Sequence, residues 1–290
     1  MNEVMVPEDM DGARLDQALE LLLPGSSLRE RRRAWEAGGV LVDGRARSKG
    51  FRVSAGQRLG LAARARGESS PVLGVRLLSV QGDYAALFKP GGMHSAAIAG
   101  RDNPSVERLL PEVLPRRGAR LLNRLDFLTS GIVLAVLTPE AAARYYELED
   151  AGRVTKEYRA LVHGCLEWPV TVMNALDTDD RKKTKVLAHE DENPLRWTRA
   201  EPLEYDEDHD RTLLKVVIHK GARHQIRAHL AHVLLPIVGD PLYGGGEGER
   251  LFLHHGRLSF EGFEVAVESG FPVAGGGTGR TIPQDEASKN

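Results

Sequence analysis

The chain has 290 residues, 41% of them apolar and 28% charged, with a net charge of −2; this fits a soluble globular protein with room for one large domain or two of unequal size. Its single cysteine, Cys165, excludes an intrachain disulfide and a zinc site built on several thiolates. No apolar run approaches the roughly 18–20 residues of a membrane span, and the N-terminus has no cationic start before an apolar stretch, so a cytoplasmic protein is expected. The small net charge taken alone speaks against a nucleic-acid partner, but its distribution does not. Residues 12–66 carry 12 Lys and Arg against 5 Asp and Glu, a balance of +7, which leaves −9 for the remainder. That asymmetry suggests a basic module on an acidic body.

In chain order, "RLDQALELLLPGS" (14–26) places Leu15, Ala18, Leu19, Leu22 and Leu23 at helical spacing, and Pro24 and Gly25 stop the helix. "SSLRERRRAWEAGG" (26–39) begins a second helix with a capping-box pattern, Ser27 and Glu30, and puts Arg29, Arg32 and Arg33 on one face. "VLVDGRARSKGFRVSAGQRLGL" (40–61) reads as short strands around an Asp43–Gly44 hairpin turn. The small, polar, Pro-ended stretch 62–71 reads as a linker. Strand-like runs then recur at 79–89, 120–122, 132–137, 156–164, 212–220 and 250–260. Helices are fewer: 138–152, with Thr138 as N-cap, Pro139 in the first turn and Gly152 as stop, and 224–235, with Ile226, Leu230, Val233 and Leu234 on one stripe. The Gly-rich tail 274–290 buries little and is expected to be disordered. The fold class is α+β: a mixed, largely antiparallel sheet preceded by a small N-terminal α/β-hairpin domain. The expected boundaries are 1–62 for the basic domain, 63–74 for the linker, 75–273 for the main domain and 274–290 for the tail.

Four stretches carry chemistry. In "NRLDFLTSG" (123–131) Asp126 sits between two apolar runs. A carboxylate buried there costs free energy unless a cation or hydrogen-bond donors compensate. Arg124 and the hydroxyls of Thr129 and Ser130 are local candidates, although an Asx-type turn would use the same residues. In "VTKEYRALVHG" (154–164) alternation puts Lys156, Tyr158 and Ala160 on one strand face, where the tyrosine serves either the core or base stacking. In "KGARHQIRAHLAHVLLPIVGDPLYGGG" (220–246) Arg223 and Arg227, at i and i+4, are placed to point back over the strand ends, unless the helix is only a solvated amphipathic one. His229 and His232 lack an acidic partner at ligand spacing, so no metal site is read there. "LFKPGGMHS" (87–95) ends a strand in a loop whose glycines permit close approach; it lacks the Gly–Lys–Ser/Thr order of a phosphate loop, which argues against nucleotide hydrolysis.

Taken together and in this order, "FKPGGMHS", "RLDFLTSG", "KEYRALV" and "HQIRAHLAHVLLPIVGDPLYGG" resemble the RluA-type pseudouridine synthases over about residues 75–262. The basic unit, 12–60, is similar to the small RNA-binding module named after ribosomal protein S-four, on its "RLDQAL", "GGVLVDG" and "GQRL". The resemblance implies an isomerase that detaches uracil from its sugar through the ring nitrogen, turns it, and rejoins it through ring carbon five. It implies Asp126 as the catalytic carboxylate, as a nucleophile or as a base that removes a sugar proton. It further implies Tyr158 packed on the target base and moving the carbon-five proton, Arg227 paired with Asp126, and Ile226 beside the base. Arg124, Arg223, His224 and Lys89 are the remaining substrate contacts expected, and Arg14, Arg29, Arg32, Arg33, Arg45 and Lys49 the RNA contacts of the basic unit. Flipping the uridine out of its stack costs a few kcal/mol; cationic contacts to phosphate help supply that and bring salt dependence. The reaction involves no redox or phosphoryl step, so no cofactor or metal is expected. The expected partner is RNA, ribosomal ahead of transfer, bound by a monomer. Two departures stand out: Asn123 where the family commonly has His, and Gly221–Ala222–Arg223–His224–Gln225 where many members read Gly–Arg–x–His–Gln. They motivate a competing reading, an RNA-binding assembly or folding factor with weak or lost catalysis. A carboxylate-dependent hydrolase would require a second carboxylate in a matching motif, and none is seen.

Overall fold

The structure, a computed structural model, describes residues 3–26, 40–43, 45–47, 50–61, 73–98, 103–114, 116, 118–180, 182–246, 248–271 and 280–281. The expected helix at 26–39 with Arg29, Arg32 and Arg33, the residues Gly44 and Lys49, the side chain of Arg45, and residues 63–72 of the expected linker 63–74 therefore lie outside the described residues, Ser26 excepted. The chain divides into two compact units, Met1–Val72 and Leu73–Asn290.

In the first unit four short strands, β1 (Glu3–Met5), β2 (Val40–Val42), β3 (Arg45–Ala46) and β4 (Arg58–Leu61), form an antiparallel sheet in the order β1-β4-β2-β3. Asp43 turns β2 into β3 with a left-handed φ of 49°, the backbone the hairpin signal demands. The helix expected over 14–26 is shorter: α1 (Leu15–Ala18) tightens into a 3-10 turn, Leu19–Leu21. Its apolar face survives, and Leu15, Ala18, Leu19 and Leu22 pack on Val40, Val42, Val53 and Leu59. Arg14 holds Asp16 in an exposed ion pair at 2.9 Å, a contact that adds little to stability.

The second unit is built on an 11-stranded sheet whose main path runs β10 (Val170–Val172), β13 (Thr198–Asp206), β14 (Arg211–Ile218), β9 (Thr155–His163), β15 (Leu253–Phe260), β8 (Ser130–Val136), β6 (Tyr84–Lys89) and β5 (Arg76–Gln81). Among the described strands, only β8 and β15 pair in parallel. The run expected as one strand at 79–89 is the β5–β6 hairpin, because Gly82, at φ 59°, and Asp83 form a two-residue turn between the paired Gln81 and Tyr84. All seven residues of β8 are buried. Val133 faces a core with Leu125, Tyr158 and Ile226; Ile132 and Leu134 face another with Tyr145, Phe260 and Phe263. A strand covered on both faces reads as an unbroken apolar run.

Helix α2 (Val106–Val113) is capped by Ser105, whose Oγ accepts the Arg108 N–H. Helix α3 (Pro139–Asp150) starts as the sequence signals, with Thr138 accepting the Ala141 N–H. Helix α4 (Gln225–His232) ends three residues before the expected limit. Leu234 leaves the expected stripe, at φ 64° and 85% exposed, because it takes the left-handed position that stops the helix, with the Leu235 N–H bonded back to the Leu230 carbonyl at 2.9 Å and the Leu234 N–H to the Ala231 carbonyl at 3.1 Å. Of the tail, residues 280–281 are described, and their backbone pairs with β13 opposite Tyr205 and Glu204.

One line of the sheet positions the site. Val216, Tyr158, His255, Gly131 and Lys89 are successive cross-strand partners on β14, β9, β15, β8 and β6. Gly131 is required in that line. At φ 119°, a Cβ on it would lie 2.3 Å from the His255 carbonyl oxygen. Gly131→Ala is expected to cost about 2–4 kcal/mol of stability, read as a fall in the urea midpoint; an unchanged midpoint would contradict the close β8–β15 approach.

Candidate active site

Asp126 lies in the loop before β8, and that loop is clamped on both sides of it. Ser95 Oγ accepts the Leu125 N–H at 2.9 Å and donates to the Leu125 carbonyl at 3.0 Å. The Phe127 carbonyl accepts from Gly92 N at 2.8 Å, Met93 N at 3.2 Å and Lys89 Nζ at 3.2 Å. Gly91 comes so close that a Cβ would sit 2.8 Å from the Leu128 carbonyl oxygen. The glycine loop after β6 thus approaches the backbone around Asp126. Lys89 is 0% exposed and also donates to the Pro90 and Met93 carbonyls. Burial pulls its ammonium down to about 7. Lys89 is therefore no substrate contact: it sits beneath the loop and ties it down.

The Asp126 carboxylate, 22% exposed, receives Arg227 Nη1 from α4 at 3.2 Å. The same guanidinium donates Nε and Nη2 to the two oxygens of Asp240, each at 2.8 Å. Asp240 is fully buried and accepts the Leu242 and Tyr243 N–H groups at 2.9 and 3.2 Å. Burial works against the Arg227 cation, but the Asp240 and Asp126 carboxylates together outweigh it and raise the group above its ordinary value. The Tyr243 ring lies 5.3 Å from the guanidinium. Asp240 is the second carboxylate that a hydrolase would need, yet both its oxygens are committed to Arg227 and backbone amides.

Around this pair lies a cleft of about 640 Å³ lined by Asn123, Arg124, Phe127, Tyr158, His224 and Ile226 among others, a size suited to a small organic ligand. Tyr158 stacks on His255, centroids 4.5 Å apart and planes 19° off parallel. Burial, with the Asp126 charge adding to it, pushes the Tyr158 phenol well above its ordinary range, so it enters as a neutral donor. Lys156, on the same face of β9, pairs with Glu149 of α3. His224 sits in left-handed backbone at φ 54°, its Nε2 3.9 Å from Asp126; burial lowers its pKa, so it is neutral at neutral pH.

The structure thus brings Asp126, Arg227, Tyr158, Ile226 and His224 together, with Arg124 exposed on the cleft wall. It does not bring the rest as the sequence suggested. Thr129 Oγ1 is buried without a partner among the described residues. Ser130 Oγ turns away to His254 Nδ1 at 2.9 Å and receives Arg250 at 2.8 Å. Neither hydroxyl supports Asp126. Arg223 lines the cleft but precedes α4, and it donates to the Thr178 and Asp180 carbonyls, so Arg223 and Arg227 diverge. Asn123 has a structural role: its Oδ1 accepts the Leu134 N–H at 2.7 Å and ties the loop to β8. Ser95, Asp240, Tyr243 and His255 went unnoticed in the sequence. The "GDPLYGG" after α4 was a usable signal, since an acidic residue before a turn offers its oxygens to the amides that follow; "HH" in β15 gave none.

His254 and His255 are both held neutral by burial, down to about 4 and about 3. The unfolded chain takes up a proton at each near 6.5. Below that pH the unfolded state binds more protons, so stability falls as pH drops toward 4, by about 1.4 kcal/mol per pH unit for each histidine. His254→Asn should remove one proton's share of that slope in urea midpoints taken between pH 7 and 4.5; an unaltered slope would contradict this.

A family model described as RNA pseudouridylate synthase matches residues 83–232, the segment that supplies the Asp126 loop, Tyr158 and Arg227. The chain belongs to the RNA pseudouridylate synthase family. It is an isomerase that converts uridine in RNA to pseudouridine, and the resemblance seen in its motifs holds for this unit. Relatives named ribosomal large subunit pseudouridine synthase D, from Yersinia pestis and Escherichia coli strain K12, are each 29% identical over 249 residues, covering 83% of this chain and 75% of theirs. Among solved structures, human RNA pseudouridylate synthase domain containing 1 superposes with a TM-score of 0.56 at 26% identity, covering 71% of this chain and 86% of that one. Human RNA pseudouridylate synthase domain containing 4, at 18% identity and a TM-score of 0.52, shares the fold.

Proposed function

We propose that this synthase modifies ribosomal RNA, with Asp126 as its catalytic carboxylate, and that the N-terminal domain of about residues 1–62 is an RNA-binding module of the S-four type. The observation that carries the assignment is the 3.2 Å Arg227–Asp126 contact at the wall of a cleft that also holds Tyr158 and Ile226. The isomerisation is internally balanced. The C1′–N1 bond breaks, the uracil turns, the C1′–C5 bond forms, C5 loses its proton and N1 regains one. The cleft offers what that needs: an anionic oxygen at the sugar, an apolar side chain at Ile226 against the base, and a neutral phenol at Tyr158 beside it. Both names for the aspartate, nucleophile and base, fit a carboxylate held in place by Arg227 and the Ser95 and Lys89 clamps. Arg124 and His224 are assigned to the substrate. Arg14, with the other basic residues of the first unit, is assigned to RNA phosphates.

Ribosomal RNA is favoured over transfer RNA because the relatives that align over most of their length carry ribosomal large subunit names. Action in the cytoplasm follows from that choice of RNA. The acting form in this reading is a monomer. The binding-only reading loses its motive, since Asn123 has a structural task and Asp126, Tyr158 and Arg227 share one cleft. Carbodiimide-dependent primer extension on total RNA, from cells with and without this gene, tests the proposal. Loss of one or a few sites in ribosomal RNA, restored by wild type, is the expected result; loss confined to transfer RNA would overturn the substrate, and an unchanged map together with inactivity on unmodified transcripts would overturn the reading as a whole.

A further inference from the structure

We infer that Phe127, backed by His94, is a stacking platform for an RNA base next to the flipped uridine. The inference rests on the proposed role of Asp126 and goes beyond it. Phe127 directly follows Asp126 and is 45% exposed. Among the described residues it is the one exposed large apolar side chain in the cleft lining; the others, such as Trp168 and Leu234, lie elsewhere. Single exposed apolar residues are common and mean little, but this one is built in. Its carbonyl is held by Lys89, Gly92 and Met93, so the backbone is fixed while the ring stays at the cleft. His94, half-buried and also in the lining, lies against that ring, centroids 4.6 Å apart and planes 43° off parallel. The His94 backbone is in turn pinned, its carbonyl accepting the Val106 N–H at 3.0 Å.

The chemistry names the occupant. Flipping a uridine breaks its stacks with both neighbours. An exposed aromatic face one residue from the reacting carboxylate can take over one of those stacks, and it does so for any base because every base has a π-face. The platform would thus hold the strand open rather than read its sequence. Neither ring is assigned to the target uracil, which has Tyr158 and Ile226.

The test uses the full-length protein and a short RNA spanning the uridine that wild type modifies in total RNA from cells lacking the gene. Phe127→Leu, which keeps apolar bulk and loses the π-face, should lower kcat/KM roughly 10-fold, while Phe127→Trp stays within about twofold. The thermal midpoint of both should match wild type. When the nucleotides flanking the target are made abasic, wild type should fall to the level of Phe127→Leu, and Phe127→Leu should fall no further. A Leu variant as active as wild type would overturn the platform, as would losses from the variant and from the abasic RNA that multiply. If wild type modifies no RNA, the underlying isomerase reading fails first and the platform with it.

Discussion

Asp126→Asn should abolish pseudouridine formation, by more than about 10³-fold, while the protein stays folded and still binds RNA. The structure explains why the two effects separate. Arg227 keeps its bidentate partner Asp240 when Asp126 loses its charge, so no buried cation is stranded. The loop keeps its shape because the clamps act on the backbone of Leu125 and Phe127 and not on the Asp126 side chain. RNA affinity should hold or rise slightly, since one negative charge facing a polyanion is removed. The measurement is single-turnover pseudouridine formation alongside filter binding and a thermal melt of the same protein. Activity above a tenth of wild type would sink the catalytic assignment. A simultaneous fall in activity, affinity and melting temperature would show that Asp126 is structural instead.

The opposite pattern is expected at Asp240. Asp240→Ala leaves the Arg227 guanidinium, 3% exposed, with its Nε and Nη2 unpaired, and the Leu242 and Tyr243 amides lose their acceptor. Breaking a buried ion pair from one side costs about 3–5 kcal/mol, which should appear as a large fall in the urea midpoint, with activity lost because Arg227 is no longer aimed at Asp126. The double variant Asp240→Leu with Arg227→Met removes both charges and should recover much of that stability while remaining inactive. An Asp240→Ala protein within about 1 kcal/mol of wild type would mean that the pair is solvated or dispensable.

How far the sequence reached differs from residue to residue. Asp126 was visible because a charged loop between two apolar runs is locally anomalous. Tyr158 was visible as a face-sharing partner of Lys156 because strand alternation has a period of two, and the burial of both shows that face turned inward. The start of α3 was legible from Thr138 and Pro139, and the β2 turn from Asp43, since caps and turns are settled within a few residues. Leu234 misled, because the helical stripe was extended past the left-handed stop at which α4 ends.

What the sequence by itself determined was therefore the set of local structures and the one carboxylate worth asking about. Only the tertiary structure decided what that carboxylate touches. Arg227 reaches Asp126 across 101 positions of chain, and Ser130 turns to His254 across 124. Asp240 ranks with the site only because the chain after α4 folds back beside it. Lys89, read as a substrate contact, became a buried tether because β6 lies next to β8 and the Asp126 loop covers its ammonium. His255 backs Tyr158 because β15 inserts between β9 and β8, and Gly131 leaves the room for it. Such pairings depend on strand order and register, and no local periodicity carries that information.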